Sequence, residues 1–125
     1  MTKRVLAAVL VANVLGLIGP ASAQTSPVSV KIVNFAFKPG TVSISKGNKL
    51  LWKNTTSATT HSVTAYKGHW SKDTTLAAGT TTTFTFTTAG TFKYYCKFHA
   101  HITQSGACVA DPGVPTKMCG TVVVS

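Results

Sequence analysis

Acidic side chains are nearly absent from this chain of 125 residues, which has two aspartates, no glutamate and a formal net charge of +10. Charged residues make up only 11% of the chain, which excludes Glu/Lys-rich helices, coiled coils and acidic disordered tails. Hydrophobic residues make up 44%, enough for a packed core, so wholesale disorder is not expected. The length predicts a single domain.

Arginine is also scarce, because the only one, Arg4, lies in the N-terminal segment 1–23. That segment has a basic head, an apolar run and small residues before Gln24, which is the pattern of a cleaved secretory signal peptide. The apolar run is too short to span a bilayer, so we expect a mature domain over residues 24–125 without a membrane-spanning segment. The predicted location is the periplasm, or the cell exterior in a host that lacks a periplasm.

Removal of segment 1–23 leaves ten lysines against two aspartates, a formal charge of +8. Proteins that recognise nucleic-acid sequence depend on arginine, so its absence from the predicted mature domain argues against nucleic-acid binding. The lysines either solvate a β-protein and protect its strand edges, or steer the protein towards an acidic partner or an anionic surface. We expect a monomer.

The chain lacks any useful stretch with the 3.6-residue periodicity of an amphipathic helix. Short runs of alternating apolar and polar residues instead predict strands, separated by Gly, Pro and polar turns. The predicted strands lie at residues 28–32, 42–44, 50–52, 61–66, 80–87, 92–96 and 120–125. Residues 67–78 and 97–119 are predicted to be irregular. This pattern predicts an all-β fold, a single antiparallel sandwich with Greek-key connections.

Cysteine occurs three times, an odd number for an exported protein in which disulfides persist. Cys108 and Cys119 flank a loop that contains Asp, Pro and Gly, and a disulfide between them is the most economical assignment. Cys96 then keeps a free thiol at the end of an aromatic strand. A free thiol in an oxidising compartment is prone to unwanted oxidation. We therefore expect the Cys96 sulfur to be bound to another group.

Candidate metal ligands surround this thiol in the sequence. Cys96 and His99 stand three residues apart at one strand end, His61 begins another predicted strand, and Met118 precedes the last one. The Cys-x2-His spacing alone is weak, because many buried cysteines are only small hydrophobic residues. Two His, one Cys and a weakly bound axial Met, however, form a blue-copper site. We therefore predict one copper ion, cycling between Cu(I) and Cu(II), bound by these four residues.

At these residues the chain resembles the small blue copper proteins, the cupredoxins of the plastocyanin and amicyanin type. The resemblance covers nearly all of the predicted mature domain and rests on an ordered set of segments at residues 35–39, 47–54, 61–63, 79–86, 90–99 and 118–122. It implies a periplasmic one-electron carrier, with His61, Cys96 and His99 as equatorial ligands and Met118 as the axial ligand. Its redox partners would be proteins, which the lysines predict to be acidic.

The chain departs from the family pattern before Met118, where residues 100–117 form an insertion. The axial position is therefore open to Met118, to Gln104 or to a backbone carbonyl. A disulfide between Cys108 and Cys119 would fix the backbone next to Met118 and restore the ligand geometry that a short loop provides.

The sequence is also compatible with two other functions. A copper-binding or copper-delivery protein would use the same fold without carrying electrons, and an adhesion-like sandwich would leave Cys96 unexplained. An enzyme is not expected, because copper oxidases and nitrite reductases need further histidine-rich copper sites and only four histidines are present. The only two carboxylate side chains belong to Asp73 and Asp111, and the sequence around them does not indicate a Ser-His-Asp catalytic triad. His101 is expected to be a surface imidazole.

Overall fold

The computed structural model describes Gly16 and residues 26–125, so the predicted cleavage site and nearly all of segment 1–23 lie outside the described residues. The described part of the chain contains eleven strands and no helix, and therefore no helix that could cross a membrane. The strands are β1 (Val28–Val33), β2 (Ala36–Lys38), β3 (Thr41–Ile44), β4 (Lys49–Asn54), β5 (His61–Ala65), β6 (Asp73–Leu76), β7 (Thr81–Thr85), β8 (Gly90–Tyr95), β9 (Ala100–Ile102), β10 (Cys108–Ala110) and β11 (Cys119–Val124).

Two sheets form the predicted sandwich, one of four strands in the order β2-β1-β4-β7 and one of five in the order β3-β11-β8-β5-β6. Alternation of apolar and polar residues explains how each strand is placed. In β4, Leu50 and Trp52 are fully buried, whereas Lys49 and Lys53 are exposed on the opposite face. Such residues form one core between the sheets, and the predicted all-β fold is confirmed.

The sheets are mixed, whereas the sequence predicted an antiparallel sandwich. β1 pairs with β4 in parallel, and β3 pairs with β11 in parallel. The chain leaves the first sheet after β2, passes through β3 in the other sheet and returns at β4, so β1 and β4 run in the same direction. Turn signals predict only hairpin neighbours, which are antiparallel, and therefore did not indicate these two pairs.

Two segments predicted to be irregular contain strands. β6 pairs with β5 at the sheet edge, and its sequence has a single apolar residue, Leu76, so it lacks the alternation that marks a strand. β9 and β10 form a separate two-stranded hairpin inside the insertion of residues 100–117. Each is three residues long, which is too short for a period of two to be recognised.

The contact between β8 and β11 depends on a glycine. Tyr94 of β8 is fully buried, and its ring packs edge-on against Trp52 at 5.4 Å and Phe37 at 4.7 Å between ring centroids. It lies directly opposite Gly120, where any Cβ would overlap the tyrosine ring. Gly120 thus makes room for the Tyr94 ring, and the pairing of β8 with β11 brings residues 96 and 118 side by side.

Candidate metal centre

Three ligand-type side chains converge at one end of the sandwich. His61 is the first residue of β5, Cys96 follows the last residue of β8, and His99 lies in the turn after it. Their ligating atoms all lie within 4.8 Å of one another. Cys96 Sγ is 3.8 Å from Nδ1 of His61 and 3.3 Å from Nδ1 of His99, so both imidazoles present the same ring nitrogen to the sulfur.

A tight turn places His99 beside Cys96. The backbone N–H groups of His99 and Ala100 both donate to the carbonyl of Cys96, at 3.1 and 3.0 Å. The carbonyl of His99 in turn accepts a 3.0 Å hydrogen bond from the N–H of Asp111, which follows β10. Phe35 packs edge-on against the His99 ring at 5.0 Å between centroids. His99 is therefore fixed by its own turn, the hairpin and the β1–β2 connection.

The position of His61 depends on Asn54, a fully buried residue that the sequence analysis missed. The Asn54 amide donates to the carbonyls of Thr59 at 2.9 Å and Leu76 at 3.0 Å, and its oxygen accepts from the N–H of Thr56 at 3.1 Å. Leu76 is also the residue that pairs with His61 across β5 and β6. Asn54 thereby fixes the loop that leads to His61, and a buried polar residue at a strand end was the signal for it.

Ser62 is a second residue that the sequence analysis missed, although it directly follows His61. Its backbone N–H lies 3.2 Å from Cys96 Sγ and donates to it, and both residues are fully buried. Its hydroxyl accepts from the N–H of Lys97 at 2.9 Å and lies 2.9 Å from the hydroxyl of Thr64. Ser62 therefore connects the Cys96 sulfur by hydrogen bonds to Thr64 within β5 and to Lys97 directly after β8.

This link closes into a ring of hydrogen bonds at the surface. The Thr64 hydroxyl donates to Asp73 Oδ1 at 3.0 Å, and Asp73 forms an ion pair with Lys97 Nζ at 2.8 Å. The hydrogen bond from Lys97 holds the pKa of the Asp73 carboxyl below its usual range, with a smaller contribution from Thr64. Lys97, which directly follows Cys96, is thus held by Ser62 through its backbone N–H and by Asp73 through its side chain.

Burial favours the neutral form of both imidazoles. Desolvation, together with a smaller effect of the nearby His99, lowers the pKa of His61 to about 4. Desolvation also lowers the pKa of His99, against an opposing effect of Asp111. Neutral imidazole is the form that binds a metal, and His61 Nε2 makes no hydrogen bond while its Nδ1 faces the sulfur. Two neutral imidazole nitrogens and a buried sulfur fit a copper ion.

Met118 lies beside this cluster. It is fully buried, and its carbonyl accepts a 3.0 Å hydrogen bond from the N–H of Cys96. Cys108 and Cys119 are joined by a disulfide, while Cys96 is free and buried. Gln104, one of the two alternatives to Met118 for the axial position, is exposed in the turn of the β9–β10 hairpin. The fold therefore brings Met118 next to Cys96 and leaves Gln104 at the surface.

The insertion forms a stapled hairpin that leaves directly from His99. Ala100 pairs with Ala110, and Cys108 lies opposite Ile102 before the disulfide connects it to the start of β11. His101 is exposed on this hairpin, with Nδ1 2.7 Å from the carboxylate of Asp111. His101 points to the surface, as the sequence analysis expected.

Fold and site together define a cupredoxin-like domain. The profile of the cupredoxin-like domain family matches residues 5–109, which is most of the chain, so the chain belongs to this family. The match includes His61, Cys96 and His99 and ends before Met118.

Solved structures agree with this assignment of fold. The chain is similar to a variant of amicyanin in its reduced state, with 24% identity, a TM-score of 0.62, and coverage of 84% of this chain and 88% of the other. It is also similar to amicyanin from Paracoccus versutus, with 22% identity, a TM-score of 0.60, and coverage of 84% and 87%. A copper-containing nitrite reductase from Thermus scotoductus matches with 19% identity and a TM-score of 0.59, over 80% of this chain and 22% of the enzyme.

Proposed function

We propose that this cupredoxin-like protein is a one-electron carrier that holds a single copper ion. His61, Cys96 and His99 would be its equatorial ligands and Met118 its axial ligand. The observation that carries the proposal is the convergence of a buried thiol and two Nδ1 atoms within 4.8 Å. When bound to such a set, copper supplies an exchange of one electron between Cu(I) and Cu(II).

The surrounding chain would hold these ligands in one geometry for both oxidation states. His61 and Cys96 lie at the ends of paired strands, and Asn54 and Ser62 fix the segments next to them by buried hydrogen bonds. The Ser62 N–H stabilises negative charge on the sulfur, because a hydrogen bond to a charged acceptor favours its charged form. Small rearrangement on electron exchange is what a carrier requires.

Electrons would enter and leave at His99. His61, Cys96 and Met118 are fully buried, whereas His99 is half-buried at the same end of the sandwich. A partner that covers the edge of the His99 ring therefore comes closer to the centre than a partner on any other ligand.

We also propose that the mature domain spans residues 24–125 and is located in the periplasm, or outside a cell that lacks one. The signal-peptide pattern of segment 1–23 supports this. Amino-terminal sequencing of the exported protein tests it, with Gln24 expected as the first residue. Retention of segment 1–23 on the exported protein would contradict it.

The amicyanin likeness favours a carrier over an enzyme, although the nitrite reductase belongs to the same fold. The likeness to nitrite reductase covers only 22% of that enzyme, so it gives no reason to assign nitrite reduction to this chain. Within residues 26–125, His61, Cys96 and His99 form the one cluster of three or more metal-ligating side chains.

Voltammetry of the copper-loaded protein tests the proposal. We expect a reversible one-electron wave, with copper retained through repeated reduction and oxidation. Release of the ion on reduction, or its transfer to a chelator, would contradict electron carriage and favour copper delivery. The variant Gln104→Ala changes an exposed residue of the hairpin turn. It should give the same wave as the unmodified protein.

A further inference from the structure

Three exposed lysines stand side by side on the outer face of the four-stranded sheet. Lys38 of β2 pairs with Lys31 of β1, and Lys31 pairs with Lys53 of β4. Residues paired on neighbouring strands point to the same face, and adjacent strands lie about 4.8 Å apart. The three side chains therefore form a straight row about 10 Å long, which we call the lysine row.

The chain does not neutralise this row. Its two aspartates lie elsewhere, Asp73 paired with Lys97 and Asp111 with His101, and no ion pair among residues 26–125 includes a lysine of the row. Like charges directly opposite one another destabilise a sheet. The remaining strand of this face, β7, presents threonines and no carboxylate. The repulsion within the row is therefore left uncompensated inside the protein.

The row crosses the sheet at the end that carries the metal centre. Lys53 is followed by Asn54, the residue that fixes the loop before His61, and Lys31 is followed by Ile32, which pairs with Asn54. The β1–β2 connection beyond the row contains Phe35, which contacts the His99 ring. A partner that binds the lysine row and also covers the β1–β2 connection would therefore reach the half-buried edge of His99.

We propose that the lysine row is the docking site for the acidic surface of the protein that exchanges electrons with this chain. This inference rests on the proposed function. Lysine carries a compact, strongly hydrated charge, which suits brief pairing with carboxylates and rapid release. A row of three charges across one face of a sheet is complementary to carboxylates spaced along a protein surface. It is too short for the many phosphate contacts of a nucleic acid.

Two variants with the same net charge test the docking site. The row variant combines Lys31→Glu, Lys38→Glu and Lys53→Glu, and the control variant combines Lys46→Glu, Lys67→Glu and Lys93→Glu, which are exposed lysines outside this face. The probe is poly-L-glutamate, added to the reduced, isotope-labelled protein and followed by backbone amide shifts. We expect the shifts to concentrate in β1, β2 and β4 and the affinity to fall about tenfold in the row variant only.

Equal loss of affinity in both variants would overturn the proposal, because net charge alone would then explain binding. Tighter binding of duplex DNA or phosphatidylglycerol vesicles at the same amides would also overturn it, in favour of a different occupant. If the row variant does not fold, Lys31→Gln at the centre of the row is compared with Lys67→Gln, and only the former should weaken binding. Absence of a blue-copper spectrum from the unmodified protein would instead contradict the proposed function, which this titration does not measure.

Discussion

The two imidazoles of the metal centre lie in different surroundings. His61 is fully buried at the start of a paired strand, behind a loop that the Asn54 side chain holds by three hydrogen bonds, one with Thr59 and two with Thr56. His99 is half-buried in a turn, between Phe35 and the stapled hairpin of the insertion. The first belongs to the core of the sandwich and the second to its edge.

This difference separates two tasks within one site. The buried side resists change, because moving His61 would disturb the sheet and leave buried polar groups unpaired. The edge side is built from short elements that the sheets do not fix, so its geometry depends on the hairpin and the disulfide. We expect the buried side, with His61, to determine whether a metal binds. The edge side, with His99, should determine how the metal centre contacts the redox partner.

Replacement of Cys96, which both sides share, should have the largest effect. We expect Cys96→Ser to abolish the thiolate-to-copper absorption, because a serine oxygen lacks the sulfur that produces it, while the sandwich stays folded. Absorption and circular dichroism spectra measure the two properties. A Cys96→Ser protein that remains blue would contradict the ligand set.

Removal of each imidazole in turn tests the comparison directly. We expect added imidazole to restore the spectrum of His99→Gly, since its half-buried site is open to solvent, and to fail with His61→Gly, whose site is closed. His61→Gly should also lose more stability, about 2–5 kcal/mol as for other large-to-small core substitutions. Equal rescue of both variants would show that the two sides do not differ in access.

Loss of the disulfide should alter the hairpin and the position of Met118 and should spare His61. Cys108 and Cys119 are 11 residues apart, and a closed ring of this size contributes about 2–3 kcal/mol to stability. We expect Cys108→Ser with Cys119→Ser to lower stability by that amount, to shift the spectrum and potential through Met118, and to retain copper. An unchanged spectrum, or two free thiols found in the unmodified protein by mass spectrometry, would contradict this role.

The smallest effect is expected at Ser62. The change Ser62→Ala removes the acceptor of the Lys97 N–H but keeps the N–H that donates to Cys96 Sγ. The Lys97 N–H is only partly buried, so water can replace the lost acceptor, and we expect a stability loss of about 0.5–1.5 kcal/mol, the net contribution of one hydrogen bond, with a small change in potential. Thr64→Ala breaks only the outer part of the ring and serves as the control. If Thr64→Ala has the larger effect, the ring rather than the Ser62 link holds the sulfur.

The sequence allowed prediction of those parts that local patterns determine. The apolar residues 50–52 predicted a strand, of which Leu50 and Trp52 lie in the core, and the odd cysteine led to Cys96 as a candidate ligand together with His61 and His99. Parallel pairing of β1 with β4 could not be predicted, because it depends on where the chain crosses between sheets. The roles of Asn54 and Ser62 depend on contacts between distant segments, which local patterns do not encode.

The lysine row illustrates the same limit. Lys31, Lys38 and Lys53 are scattered in the sequence and could be interpreted only as part of a basic composition. The register of the strands, which determines which residues pair across the sheet, places these three lysines next to one another. A charge count therefore predicts attraction to acidic partners but not the surface that meets them.

The central claim is that His61, Cys96 and His99 form one blue-copper site. Addition of Cu(II) to the purified metal-free protein, followed by absorption spectroscopy, tests it most directly. We predict an intense blue absorption that rises in proportion to added copper and stops at one ion per chain. A weak, ordinary Cu(II) spectrum, or colour that develops without a defined endpoint, would contradict the account.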